Sequence, residues 1–229
     1  MKSLPGSERI LILGGTKEAA ALAQSLVDSG AEVISSLAGR TKEPVPVAGS
    51  TRTGGFGGTE KMATWIIENH ITKVIDATHP FARQISRNAV RACAIANVEL
   101  EQQQRTPWPQ RDGDLWTEVD TLDDAANAIP PGARVLLALG SQYLNTFSQR
   151  DDVHFVVRMV DQPQSAPDLA SHDLLLGRPH SNWQDEAQLL KAHKVSHIVC
   201  RNSGGTGAYA KIIAARELAI PVILIKMPV

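Results

Sequence analysis

The sequence predicts an α/β protein built from two open parallel sheets. Short apolar runs alternate with amphipathic helical stretches from residue 9 onward, the signature of a parallel sheet covered by helices. Two glycine turns, Gly14-Gly15-Thr16 and Ser203-Gly204-Gly205-Thr206-Gly207, each join such a run to a helical stretch. The alternation breaks once, around residues 98–111, where Pro107-Trp108-Pro109 marks a connection and divides the chain into domains of residues 1–105 and 106–229.

The elements follow in order. Residues 9–13 form a short apolar strand, residues 17–29 a helix closed by Gly30, and residues 32–36 a second strand. Pro44, Pro46 and Gly54-Gly55-Phe56-Gly57-Gly58 mark a long loop, after which Thr59 is expected to cap a helix carrying Met62, Trp65, Ile66 and Ile67. Residues 73–77 read as a strand ending in Thr78-His79-Pro80, and residues 81–96 as a helix burying Ile85, Ala89, Ala92 and Ala96. The second half repeats the pattern. Strands are expected at 134–139, 153–160, 174–176, 197–200 and 222–225, with helices at 184–193 and 211–218. In open sheets of this kind ligands bind beyond the carboxyl ends of the strands, where both glycine turns, His79 and Arg178 fall.

Composition narrows the function classes. With 23 Lys and Arg against 24 Asp and Glu the net charge is -1, which gives no bulk attraction to nucleic acid or to an anionic membrane. Aromatic residues make up 4%, too few for a base-stacking surface. No apolar run approaches the roughly 20 residues of a membrane span, and residues 1–9 lack a signal-peptide core. Cys93 and Cys200 sit in apolar surroundings, as buried free thiols do. A cytoplasmic protein is expected, with no membrane or nucleic-acid partner.

Both glycine turns have the makings of an anion site, because glycine lets backbone N–H groups approach a ligand and a helix start carries unpaired donors. A tight turn with no ligand needs the same residues, so the structural reading stands beside the functional one. Gly14, Gly15 and the Thr16 hydroxyl suit a pyrophosphate. The second strand then runs Ser35-Ser36-Leu37-Ala38-Gly39-Arg40, with no carboxylate where an NAD site has one. Ser36 and Arg40 would accept the 2′-phosphate of NADP(H); the alternative is that Arg40 is an exposed loop cation. Tyr209 and Lys211 are two residues apart, so on a helix they diverge by roughly 200°. That excludes the four-apart Tyr–Lys relay of short-chain dehydrogenases and puts Lys211 on a face with Ala208, and Tyr209 with Arg216. Arg83, Arg87 and Arg91 at four-residue spacing read as a solvated face or as attraction for an anionic substrate, joined by Arg178. His79, before Pro80, is either a proton donor near neutral pH or a structural histidine. His193 and His197 lack a third partner, so no metal site is expected.

Ile12-Leu13-Gly14-Gly15-Thr16-Lys17-Glu18-Ala19, Gly54-Gly55-Phe56-Gly57-Gly58, Asp76-Ala77-Thr78-His79-Pro80-Phe81-Ala82, Leu176-Gly177-Arg178-Pro179 and Asn202 through Lys211 together resemble the precorrin-6A reductase family of corrin (vitamin B12) biosynthesis. They span nearly the whole chain. The resemblance implies two Rossmann-like domains with an inter-domain cleft, with an exchanged strand as one arrangement. It implies NADPH-dependent reduction of a double bond of the precorrin-6A macrocycle to give precorrin-6B, in a monomer or weak homodimer. The tetrapyrrole is a polycarboxylate, which gives Arg83, Arg87, Arg178 and Arg201 a substrate role. Gly14, Gly15, Thr16, Ser36 and Arg40 are expected on the dinucleotide. Ser203, Gly204, Gly205, Tyr209 and Lys211 are expected on the cleft wall, touching cofactor, substrate or both. His79, Tyr209, Lys211 or water would deliver the proton. The rival readings are a cobalt-precorrin-6A reductase and a non-catalytic NADP-binding sensor module.

Overall fold

Apolar runs such as Arg9–Leu13 become strands buried on both faces, and their alternation decides which helix lies on which face. The computed structural model describes residues 8–39 and 46–228. The chain divides into two compact units, Met1–Gln104 and Arg105–Val229. All strand pairings among the described residues are parallel and stay within one unit, so no strand is exchanged there.

The first unit runs β1 (Arg9–Leu13), α1 (Lys17–Asp28), β2 (Glu32–Leu37), β3 (Ser50–Thr53), α2 (Thr59–Glu68), β4 (Lys73–Asp76), α3 (Arg83–Ala96) and β5 (Glu99–Gln102), with sheet order β3-β2-β1-β4-β5. Leu11 and Leu13 face a cluster with Met62, Ile66, Ala89 and Ala92 of α2 and α3. Ile10 and Ile12 face Ala19 and Ala23 of α1 on the other side. This is the two-period alternation of a strand covered on both faces.

Helix starts depart from expectation at two places. Thr59 does not cap α2: Gly58 is the N-cap with no side-chain bond, Thr59 is the first helical residue, and its hydroxyl donates to Asn88 Oδ1 at 3.3 Å. α3 begins at Arg83 rather than Phe81, because His79-Pro80-Phe81-Ala82 closes its own turn. The Ala82 N–H donates to the His79 carbonyl (2.7 Å) and the Phe81 N–H to His79 Nδ1 (3.3 Å).

The second unit runs β6 (Trp116–Val119), α4 (Leu122–Asn127), β7 (Arg134–Ala138), a 3-10 helix (Ser141–Phe147), β8 (His154–Met159), β9 (His172–Leu176), α5 (Trp183–Ala192), β10 (His197–Arg201), α6 (Ala210–Glu217) and β11 (Val222–Ile225), ordered β6-β11-β10-β7-β8-β9. Leu136, Val156, Ile198, Cys200 and Leu224 project from its strands onto Leu190 of α5 and Ile212 and Ala215 of α6. Trp108 belongs to this core and is 7% exposed, so the stretch Pro107-Trp108-Pro109 that marks the connection packs into the second unit. β3, β5, β6, α4 and the 3-10 helix occupy stretches the sequence pattern left as connection. The strand order reverses between β1 and β4 in one sheet and between β7 and β10 in the other, and such switch points open a crevice at the carboxyl ends of the strands.

Candidate functional site

In the first unit the crevice is bounded by the turns after β1 and β4. The Gly14 N–H donates to the Ser36 carbonyl (3.0 Å), fixing the turn against the end of β2. Gly15 has φ +104°, a conformation L-residues rarely adopt, and a Cβ there would meet nothing within 4 Å. The turn thus leaves open space beside the start of α1, whose first amides lack intrahelical partners. Thr16 is the N-cap of α1: its Oγ1 accepts from the Ala19 N–H (3.0 Å) and donates to the Ala77 carbonyl (3.1 Å). The second bond ties the two turns together and uses the hydroxyl proton. His79 lies beyond β4 with Nδ1 accepting from Phe81, which leaves the neutral ring's proton on Nε2. Asp76 is buried, and its Oδ1 accepts from the Thr78 N–H and hydroxyl, making it a turn former.

Ser36 is buried at the end of β2, and its Oγ accepts a 2.7 Å bond from Arg52 Nη1. Arg52 is Ser36's register partner on β3. Arg52 was not anticipated, because β3 read as loop. Burial lowers its pKa. Arg40 lies outside the described residues. Arg83, Arg87 and Arg91 are exposed along α3, and Arg87 donates to Gln84 Oε1 (2.9 Å), a solvated face of the helix.

In the second unit the switch point holds a cavity of about 190 Å³, lined by the ends of β7 (Ala138, Leu139) and β8 (Arg158), the turn after β9 (Gly177) and the start of α6 (Ala208, Lys211). Lys211 is 4% exposed; its Nζ donates to the Ala208 carbonyl (2.8 Å) and lies 5.2 Å from the Trp108 ring centroid. Desolvation pushes the Lys211 pKa down, against smaller upward pulls from Cys200 and Glu186. Tyr209 goes elsewhere: its hydroxyl accepts from Arg216 (3.2 Å), which is paired with the buried Asp114, and its ring tilts against Trp108. Both side chains pack on Trp108, but their polar ends go to different partners, and of the two Lys211 lines the cavity.

Beneath it lies an ion pair that the sequence reading missed. Arg158 donates through both Nη atoms to the Glu186 carboxylate, each at 3.0 Å, and Glu186, fully buried, also accepts the His180 N–H at 2.8 Å. A signal was present: Arg158 interrupts the apolar run of β8, and Glu186 stands one turn before Leu190 on the buried face of α5.

The loop 202–207 is stitched to its own unit. Asn202 Oδ1 accepts from the Trp108 N–H (2.7 Å), Asn202 Nδ2 donates to the Trp108 carbonyl (3.1 Å), and Trp108 Nε1 donates to the Gly205 carbonyl (2.7 Å). A Cβ on Gly204 would stand 2.4 Å from the Thr106 carbonyl oxygen, so close backbone approach demands that glycine. Ser203 is buried beside it. Arg201 ends β10 with its guanidinium 3.7 Å from the Tyr143 ring centroid, and Arg178 is exposed in the turn after β9. The structure therefore brings Gly14, Gly15, Thr16, Ser36 and His79 to one sheet end, and Ser203, Gly204, Gly205, Arg201 and Lys211 to the other. Among the described residues no three His, Cys, Asp or Glu side chains gather as a metal site, and no helix is long and apolar enough to cross a membrane.

Comparison with known proteins decides the family. The profile of the Precorrin-6x reductase CbiJ/CobK family matches residues 9–229. The chain belongs to the precorrin-6x reductase family. A precorrin-6A reductase from Rhodobacter capsulatus is 45% identical over 96% of this chain and 88% of its own length. A solved CobK precorrin-6A reductase superposes with a TM-score of 0.94 at 44% identity, over 97% of this chain and 89% of that one. A cobalt-precorrin-6A reductase from Priestia megaterium is 28% identical over 96% of this chain and 90% of its own. As a member of the precorrin-6x reductase family the chain is an enzyme, an oxidoreductase of cobalamin biosynthesis on two α/β domains.

Proposed function

We propose that this reductase uses NADPH to reduce a double bond of precorrin-6A, giving precorrin-6B, in the cytoplasm. The observations that carry the reading are an open Gly15 turn at the switch point of the first unit and, in the second unit, a Lys211-lined cavity. The donor set of the first unit suits a phosphorylated nucleotide: amides at the start of α1, Ser36, and no carboxylate from Ser35 to Gly39. When bound, the nicotinamide supplies the hydride.

The chain's own residues then have two tasks. The first is orientation, with Gly14, Gly15 and Ser36 holding the dinucleotide and Arg201 and Arg178, with Arg83 and Arg87 as long-range attraction, meeting carboxylates of the macrocycle. Ser203, Gly204 and Gly205 form a fixed wall, kept in place by Trp108. The second is the proton that must accompany the hydride. Lys211 is the donor the geometry favours, because a desolvated ammonium gives up its proton more readily than an exposed one. His79 Nε2 is the candidate of the first unit. Tyr209, whose hydroxyl is held by Arg216, is assigned to positioning α6.

Anaerobic mixing of the enzyme with NADPH and precorrin-6A, followed at the nicotinamide band and in the macrocycle spectrum, tests the reading. NADPH is expected to be consumed only when the tetrapyrrole is present, and faster with the metal-free than with the cobalt-containing ring. Binding of NADPH without oxidation would overturn it in favour of a sensor.

A further inference from the structure

We infer that Arg52, clamped against Ser36 at the carboxyl end of β2, is the residue that selects a nucleotide bearing a 2′-phosphate. The inference rests on the dinucleotide reading above and adds the residue that gives it specificity.

Position comes first. In open α/β sheets the adenosine ribose lies at the end of the second strand, beside the phosphate turn. Here the Gly14 N–H donates to the Ser36 carbonyl, so the turn and the end of β2 are one rigid piece. Arg52 reaches that point from the adjacent strand, with Nη1 2.7 Å from Ser36 Oγ.

Its guanidinium is held in a fixed plane. Nη1 also donates to the Gly54 carbonyl (3.0 Å) and Nη2 to the Gly55 carbonyl (3.2 Å), while the Phe56 ring centroid lies 3.7 Å and that of Trp65 5.4 Å from Cζ. A guanidinium has five N–H donors, and its bonds to the described residues use three, which among those residues leaves Nε–H and one Nη2–H. Among the described residues no carboxylate pairs with it. A planar cation held on an aromatic face, with a two-donor fork left over, suits bidentate binding of a phosphate and loses little entropy in doing so. The Ser36 hydroxyl, accepting from Arg52, keeps its own proton to donate.

The competing explanation is that Arg52 merely pins the glycine-rich loop 54–58 through its two carbonyl bonds. That role would affect every nucleotide alike, whereas phosphate selection affects one class. Titrations of the full-length protein with NADPH, NADH, 2′,5′-ADP and 5′-ADP, followed by calorimetry, separate the two. Arg52→Gln is expected to weaken NADPH and 2′,5′-ADP by about 10- to 100-fold and to leave NADH and 5′-ADP within about twofold, as for loss of one charge-assisted contact. Ser36→Asp, which gives Arg52 a carboxylate partner and repels a phosphate, is expected to reverse the preference toward NADH. Equal weakening of all four ligands by Arg52→Gln would overturn the inference in favour of loop pinning. Loss of discrimination in Arg40→Gln, with Arg52→Gln unchanged, would overturn it in favour of Arg40. If the unaltered protein bound NADPH no better than NADH, the NADPH reading itself would fall, and with it this one.

Discussion

Lys211 is buried in the core of its unit, and among the described residues the Ala208 carbonyl accepts its hydrogen bond. Its folded pKa lies below the 10.5 of an exposed lysine. Between those two values the unfolded chain binds the proton that the folded chain gives up, so stability rises with pH through that window, and the cost of the buried charge is fully present below it. Lys211→Met removes the charge and keeps the volume. It is expected to leave the melting temperature unchanged or raise it by a few degrees, since exchanging a buried ion for an apolar group is often neutral or stabilising by about 1–4 kcal/mol. The same variant is expected to lower kcat by about 10²- to 10⁴-fold, the range of general acid catalysis. With the acid active only when protonated, kcat of the unaltered enzyme falls as pH rises through the depressed Lys211 pKa, and that limb of the profile disappears in the variant. A large loss of stability with no change in the pH profile would make Lys211 structural. The thiols behave in the opposite sense: burial pushes Cys93 up to about 11 and raises Cys200, so neither is expected to react with a thiol reagent at neutral pH until the chain unfolds.

The loop 202–207 and the pair Arg158–Glu186 hold the ends of β10, β8 and α5 in place. Gly204→Ala sets a Cβ against the Thr106 carbonyl at a backbone conformation with φ +61°. The expected cost is about 1–3 kcal/mol, read as a lowered denaturation midpoint. Glu186→Ala leaves the Arg158 guanidinium buried without its carboxylate, and the expected cost is about 3–5 kcal/mol. Equal midpoints for variant and parent would contradict either account. Legibility in the sequence follows the same physics. Central strands are buried on both faces and read as apolar runs, as in Arg9–Leu13, Arg134–Ala138 and Val222–Ile225. The strands that escaped notice, Ser50–Thr53, Glu99–Gln102 and Trp116–Val119, all lie at sheet edges, where one side is wet and the residues are polar. Missing β3 also hid Arg52, since nothing in the sequence says that its side chain reaches Ser36. That the polar ends of Tyr209 and Lys211 go to different partners was legible in their two-residue spacing.

Each unit carries its own switch point, and each switch point carries one half of the proposed chemistry: a phosphate turn with Ser36 in the first, and a lysine-lined cavity in the second. The family follows from a match over residues 9–229, whereas the cofactor and the roles of single residues rest on donor chemistry at those two sheet ends. The central claim is that hydride passes from NADPH to the macrocycle. Single turnover with NADPH deuterated at the transferable C4 position, followed by mass spectrometry of the tetrapyrrole, tests it most directly. The account predicts a product one mass unit heavier than that formed with unlabelled NADPH, whereas a reduced macrocycle without the label, or unreduced precorrin-6A beside intact NADPH, would contradict it.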